Sequence, residues 1–132
     1  MTIQQTLAEM RHLMAVRSRI QSDLARAMDA ATRASPVLDG MPRGKRRNGK
    51  VERYGTYRAD LQARIEKINQ KLELFRSDVQ PSVAAIPAGS EKQSLWLRYI
   101  DLLPVRQVAK LMHYERESMY LLLRTAERKW LF

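Results

Sequence analysis

The sequence predicts an all-α protein: a long antiparallel helical hairpin, coiled-coil-like in its pairing, followed by a C-terminal helix-turn-helix domain. Three observations predict it. Residues 5–32 contain neither Pro nor Gly and repeat apolar side chains at helical spacing. Leu61, Ile65, Ile68, Leu72, Phe75 and Val79 step by 4, 3, 4, 3 and 4 positions, the rhythm of an a/d seam. From Ser90 onward the chain reads as three short helices, the last two separated by a three-residue break. The expected organisation is a hairpin over residues 1–80 with a basic loop at 33–50, a linker at 81–89, and the helix-turn-helix domain at 90–132.

The first helix carries Leu7, Met10, Met14, Ile20, Leu24, Ala27 and Ala31 on one face, while Arg11, Arg17, Arg19, Asp23, Arg26 and Asp29 fill much of the remainder. Such a face needs a partner. Residues 35–49 then interrupt the pattern with Pro36, Gly40, Pro42, Gly44 and Gly49, which predicts a loop. Helical periodicity resumes near Val51 and leads into the seam of Leu61, Ile65, Ile68, Leu72 and Phe75. Two long amphipathic helices joined by one loop form an antiparallel hairpin most simply, and the alternative is that either seam faces a second subunit. A two-helix hairpin buries little surface for its length. Dimerisation or the C-terminal domain is therefore expected to complete it, and a homodimer is the expected assembly.

Pro81, Pro87 and Gly89 are expected to end the second helix, with room for one short turn at 82–86. Ser90 with Gln93 has the spacing of a capping box leading into Leu95, Trp96, Leu97, Tyr99 and Ile100. Pro104 suits the first turn of the next helix, at 105–112, and after His113, Tyr114 and Glu115 a last helix runs from Arg116 to Trp130. Val108 and Ala109 put an apolar and a small residue where two helices cross, with Met112 and Tyr114 flanking the turn. Met119, Leu122 and Ala126 are expected to close the core, and Trp130 lies one turn further on. Leu121, Leu122 and Leu123 are consecutive and cannot all face one core, so at least one is exposed or meets a partner.

The 132 residues hold 24 Lys+Arg against 14 Asp+Glu, a formal charge of +10, which makes a polyanion the first partner to consider. Arg43, Lys45, Arg46, Arg47, Lys50 and Arg53 stand against the single acid Glu52 in one short stretch. Alternation of Gly with cations keeps it flexible and suited to phosphate, a solvated connector being the alternative. The absence of Cys excludes a disulfide scaffold, a thiolate metal cluster and a Cys nucleophile. His12 and His113 lie in different segments, Gly40 and Gly44 lack a following Lys-Ser/Thr, and the acids are scattered. No metal, cofactor or catalytic role is therefore expected. The N-terminus lacks the charged-then-apolar order of a secretion signal, and no apolar run approaches the ~20 residues of a membrane span. A cytoplasmic protein without a membrane partner is expected. Tyr54, Tyr57 and Tyr99 read as packing residues.

The segment Leu97, Arg98, Tyr99 and Ile100, then Pro104, Val108, Ala109, Met112, Arg116 to Met119 and Ala126 to Trp130, resembles the region 4 helix-turn-helix of sigma-70-type factors. More closely, the chain resembles the ArpU/RinA-type late transcription regulators of phages of Gram-positive bacteria. The residues Ser35, Pro36, Met41, Pro42, Arg43 and Gly44 extend that likeness upstream. The resemblance implies a regulator of phage transcription in the bacterial host cell, with double-stranded DNA as partner and RNA polymerase or another host protein as a further one. It places DNA contacts on Arg116, Glu117, Ser118, Tyr120 and Leu121, with Arg124 and Arg128 toward phosphate. Arg and Glu can read guanine and cytosine edges. Two other readings stay open: a small-terminase-like DNA-packaging subunit whose hairpin builds a ring, and a protein-binding module that keeps the helix-turn-helix shape without DNA readout.

Overall fold

A computed structural model describes residues 1–34 and 44–132, with side chains described at 1–30 and 55–132. Among the described residues every regular element is helical: α1 (Ile3–Ala34), α2 (Gly44–Ala84), α3 (Ser90–Leu95), a π-helical turn (Trp96–Ile100), α4 (Val105–Met112) and α5 (Arg116–Trp130). The protein is all-α.

α1 starts at a reciprocal cap. The Gln5 N–H donates to Thr2 Oγ1 at 3.1 Å, and the Thr2 N–H donates to Gln5 Oε1 at 2.9 Å. The Thr-x-x-Gln spacing thus forms the capping box at this end of the chain. At Ser90 the expected box does not form. Gly89 is the N-cap of α3 and no side chain caps it, so Ser90 lies already inside the helix and its hydroxyl is out of register with the first free N–H groups.

α1 and α2 form a helical hairpin, and the order of their partners shows it to be antiparallel. The chain divides into two compact units, one made of Met1–Met14 with Lys71–Phe132, the other of Ala15–Gln70. The beginning of α1 thus associates with the end of α2. In the Ala15–Gln70 unit, Ile20, Leu61 and Ile68 are buried, Ile65 is half-buried, and Arg17 Nη1 donates to Asn69 Oδ1 at 2.9 Å. In the other unit the same stripes continue as Leu7, Met10 and Met14 on α1 and as Leu72, Val79 and Val83 on α2, all buried, with Phe75 half-buried. The seam residues are covered within one chain.

Three boundaries differ from expectation. Arg43 lies outside the described residues, but Lys45, Arg46, Arg47, Lys50 and Arg53 belong by backbone to α2, which begins at Gly44. Lys and Arg are good helix formers, and one interior Gly costs only about 1 kcal/mol against Ala, so Gly49 does not end the helix. α2 also runs through Pro81 to Ala84. Val79, Val83 and Ile86 are buried on one stripe, and this burial holds helical geometry across a residue that lacks the N–H. Residues 81–84 therefore belong to the helix. Nor do the compact units follow a division at residue 80, because the C-terminal helices share their unit with both ends of the hairpin.

α3 packs on α5, and α4 packs on α5 and on the π-helical turn. In that turn the Asp101 N–H reaches the Trp96 carbonyl at 3.0 Å, one residue further than in an α-helix. The extra residue helps bury Tyr99 and Ile100 with Leu95, while Trp96 and Leu97 are half-buried.

Candidate nucleic-acid interface

The site sequence reasoning singled out sits on α5, and α4 with its turn positions that helix. Val105, Val108 and Ala109 are buried on α4; Met119, Leu123 and Ala126 are buried on α5. Helix α4 ends in a Schellman-type cap, with Tyr114 N–H donating to the Ala109 carbonyl at 2.8 Å and His113 N–H to the Lys110 carbonyl at 3.3 Å. His113 takes φ 58° and ψ 42°, the left-handed conformation that lets the chain reverse so sharply. Glu115, extended at φ −71° and ψ 154°, precedes α5, and its carbonyl accepts the Met119 N–H at 2.9 Å.

Met119 and Ala126 are core residues of α5 as expected, but Leu123 takes the place expected of Leu122. Leu123 is buried and Leu122 half-buried, and Trp130 is 37% exposed while Leu131 is buried. A helix advances 100° per residue, so Met119, Leu123 and Ala126 make one narrow stripe. Leu122 falls at its margin. The third leucine, Leu121, is 64% exposed, on the opposite face.

All seven expected contact residues, Arg116, Glu117, Ser118, Tyr120, Leu121, Arg124 and Arg128, are exposed. Glu117, Leu121, Arg124 and Arg128 step by 4, 3 and 4 and share the stripe facing away from the core. Arg116 and Tyr120 flank it on one side, and Ser118 on the other. Three cations and one acid on this face leave it basic. Arg124 and Arg128 pair with no carboxylate among the described residues, whereas Lys129 reaches Glu91 on α3 at 3.3 Å and lies 5.1 Å from the centre of the Trp130 ring.

The other expected phosphate contacts, Lys45, Arg46, Arg47, Lys50 and Arg53, stand on the first turns of α2, and Arg43 precedes them outside the described residues. Their side chains are likewise outside those described. Of the tyrosines read as packing residues, Tyr99 is fully buried, Tyr57 is exposed, and the side chain of Tyr54 is outside those described.

What orients α5 against the rest of its unit is a polar cluster that the sequence did not signal. Arg11 Nη1 on α1 donates to Glu127 Oε1 at 2.8 Å and to the Tyr99 hydroxyl at 3.0 Å, and that hydroxyl donates to the same Glu127 oxygen. Burial opposes the Arg11 charge, but Tyr99 and Glu127 outweigh it and leave the guanidinium pKa above its usual value. Burial, then the charge and hydrogen bond of Glu127, push the Tyr99 hydroxyl far above the usual tyrosine range. Tyr99 and Glu127 lie 88 and 116 positions from Arg11, so no local pattern could have joined the three. Next to them, Arg98 donates from Nη1 to the Leu103 carbonyl at 2.9 Å, and burial lowers its pKa.

Among the described residues no group of His, Cys, Asp and Glu could hold a metal ion, and no helix is long and apolar enough to cross a membrane. No known protein family, characterised protein or solved structure matches the chain.

Proposed function

We propose that this chain is a sequence-specific, duplex-DNA-binding transcription regulator of phage type, working in the bacterial host cell. Helix α5 would enter the major groove and the basic segment from Arg43 to Arg53 would lie on phosphate. The observation that supports it is the division of α5: Met119, Leu123 and Ala126 are held in the core, while the seven expected contact residues are exposed on the remaining surface. In this reading Arg116 near the helix start reads a guanine edge, Glu117 accepts from a cytosine amine, and Leu121 meets a thymine methyl. Arg124 and Arg128, further along the helix, neutralise phosphate. A homodimer would present two such helices to a two-fold operator.

Exposed apolar side chains favour a second reading. Leu121 and Leu111 (53% exposed) stand on α5 and α4 with the exposed Tyr114 and Tyr120 nearby in sequence, which suits a protein partner such as RNA polymerase.

Selection of bound fragments from random duplex DNA decides between the two. The DNA reading expects an enriched motif. Arg116→Ala then lowers discrimination by about 1–3 kcal/mol at one base position. Arg46→Ala with Arg47→Ala weakens all duplexes about equally and reduces the salt slope by roughly 0.9 per lost phosphate contact. Equal losses on selected and random sequence in both variants contradict this division of labour. No duplex bound at low salt, with polymerase retained on the wild-type chain and lost on Leu121→Ser, establishes the second reading.

A further inference from the structure

Within the unit formed by Met1–Met14 and Lys71–Phe132, a cleft of about 470 Å³ opens beside α5, with Arg11, Arg98, Arg124 and Arg128 in its walls. Among the described residues, Glu127 is the one acidic side chain lining it. That carboxylate is already engaged by Arg11 and by the Tyr99 hydroxyl. Arg98, Arg124 and Arg128 thus line the cleft with no direct ion pair among the described residues, the Glu127 charge reaching Arg98 only through space. Arg98 is the most deeply set: its Nη1 is held by the Leu103 carbonyl at 2.9 Å and touches Met14 Sδ at 3.7 Å. Neither partner is an anion. Burial lowers the Arg98 pKa, so its charge is borne against a desolvation cost that a bound anion would relieve.

The apolar half of the wall is aromatic at the mouth. Tyr120 is 48% exposed and Phe132 52% exposed, and both line the cleft. Rings left this open in a cationic pocket offer flat surfaces for a planar, π-bearing group, while planar guanidinium forks match the oxygens of a phosphate. The volume falls in the ~300–1,000 Å³ range of small-molecule sites, too small for a duplex segment.

We propose that this cleft binds a nucleoside phosphate, its phosphate on Arg98, Arg124 and Arg128 and its base against Tyr120 and Phe132. Two sources supply that chemistry: a free nucleotide, and the terminal unit of a single strand. The site does not depend on the duplex-reading proposal. Groove binding is tested at Arg116 and by duplex selection, and either can fail without the other.

The test is calorimetric titration of the full chain at low salt with AMP, adenosine, inorganic phosphate and a 5′-phosphorylated single-stranded tetranucleotide. Saturation by AMP, by the strand or by both near or below about 1 mM is expected. Each ligand that saturates identifies a source. Adenosine and inorganic phosphate should bind about tenfold or more weaker, since each lacks either the charge or the stacking group. Arg124→Ala with Arg128→Ala should lose about tenfold or more in affinity with unchanged circular dichroism, both residues being exposed. Chemical-shift mapping on the wild-type chain should place the ligand at Arg98, Tyr120 and Phe132, which keeps the question answerable should the variant misfold. No saturation by either nucleotide ligand overturns the proposal. So do inorganic phosphate binding as tightly as AMP, and shifts confined to residues outside the cleft.

Discussion

Tyr99 shows how one hydroxyl ties three parts of the chain together. It accepts from Arg11 on α1, donates to Glu127 on α5, and stands in the π-helical turn between α3 and α4. Its proton is held beyond the usual tyrosine range by burial first and by Glu127 second. The unfolded chain releases that proton near pH ~10, whereas the folded chain keeps it, so above that pH the folded state binds more protons. Stability attributable to this group is intact below pH ~10 and declines as the pH climbs from there toward the folded value. Tyr99→Phe should remove that decline: urea midpoints of the wild type fall between pH 9 and 11, and those of the variant fall less. Equal slopes would show that Tyr99 does not titrate differently in the two states. Leu102 and His113, both at positive φ near 58°, are the other residues whose roles are conformational. His113 could not be singled out from sequence, since a helix-turn-helix turn commonly puts Gly where the chain reverses.

At the scale of elements, α5 and α2 each carry a register that the pattern of residue types left ambiguous. Three consecutive leucines fit several helical phases. Packing on α3 and α4 selects the phase that buries Leu123 and exposes Leu121. Leu123→Ala should cost about 2–5 kcal/mol by chemical denaturation, with Leu122→Ala costing less than half as much. A reversed order would mean that α5 is rotated by about one residue. In α2 the interior Pro81 removes a hydrogen bond and crowds the preceding turn, yet the helix continues to Ala84 because Val83 and Ile86 extend the buried stripe. Pro81→Ala should therefore raise stability by roughly 1–3 kcal/mol, part of the penalty of a helix-interior proline. A thermal midpoint unchanged or lowered would show that the proline is accommodated without penalty.

At the scale of the whole molecule, the hairpin seams are covered inside one chain, so dimerisation is not needed to shield them and rests on the DNA-binding proposal. Light scattering on the full chain should give a dimer; a ring of eight or more subunits would favour the packaging-subunit reading, and a monomer that binds a single half-site would remove the two-fold operator. The all-helical class, the bounds of α4 and α5, and the seam of α2 as far as Val79 were legible in the amino-acid sequence. Each follows from spacing within a few turns, which the 3.6-residue period makes legible. Tertiary packing was needed to carry α2 through Pro81 and to make Leu123 rather than Leu122 the core residue. It also decided that Arg11, Tyr99 and Glu127 meet, and that Arg98 shares a cleft with Arg124 and Arg128. These depend on which surfaces of other elements cover a residue, and burial energy gained between separate segments leaves no periodic trace in either segment.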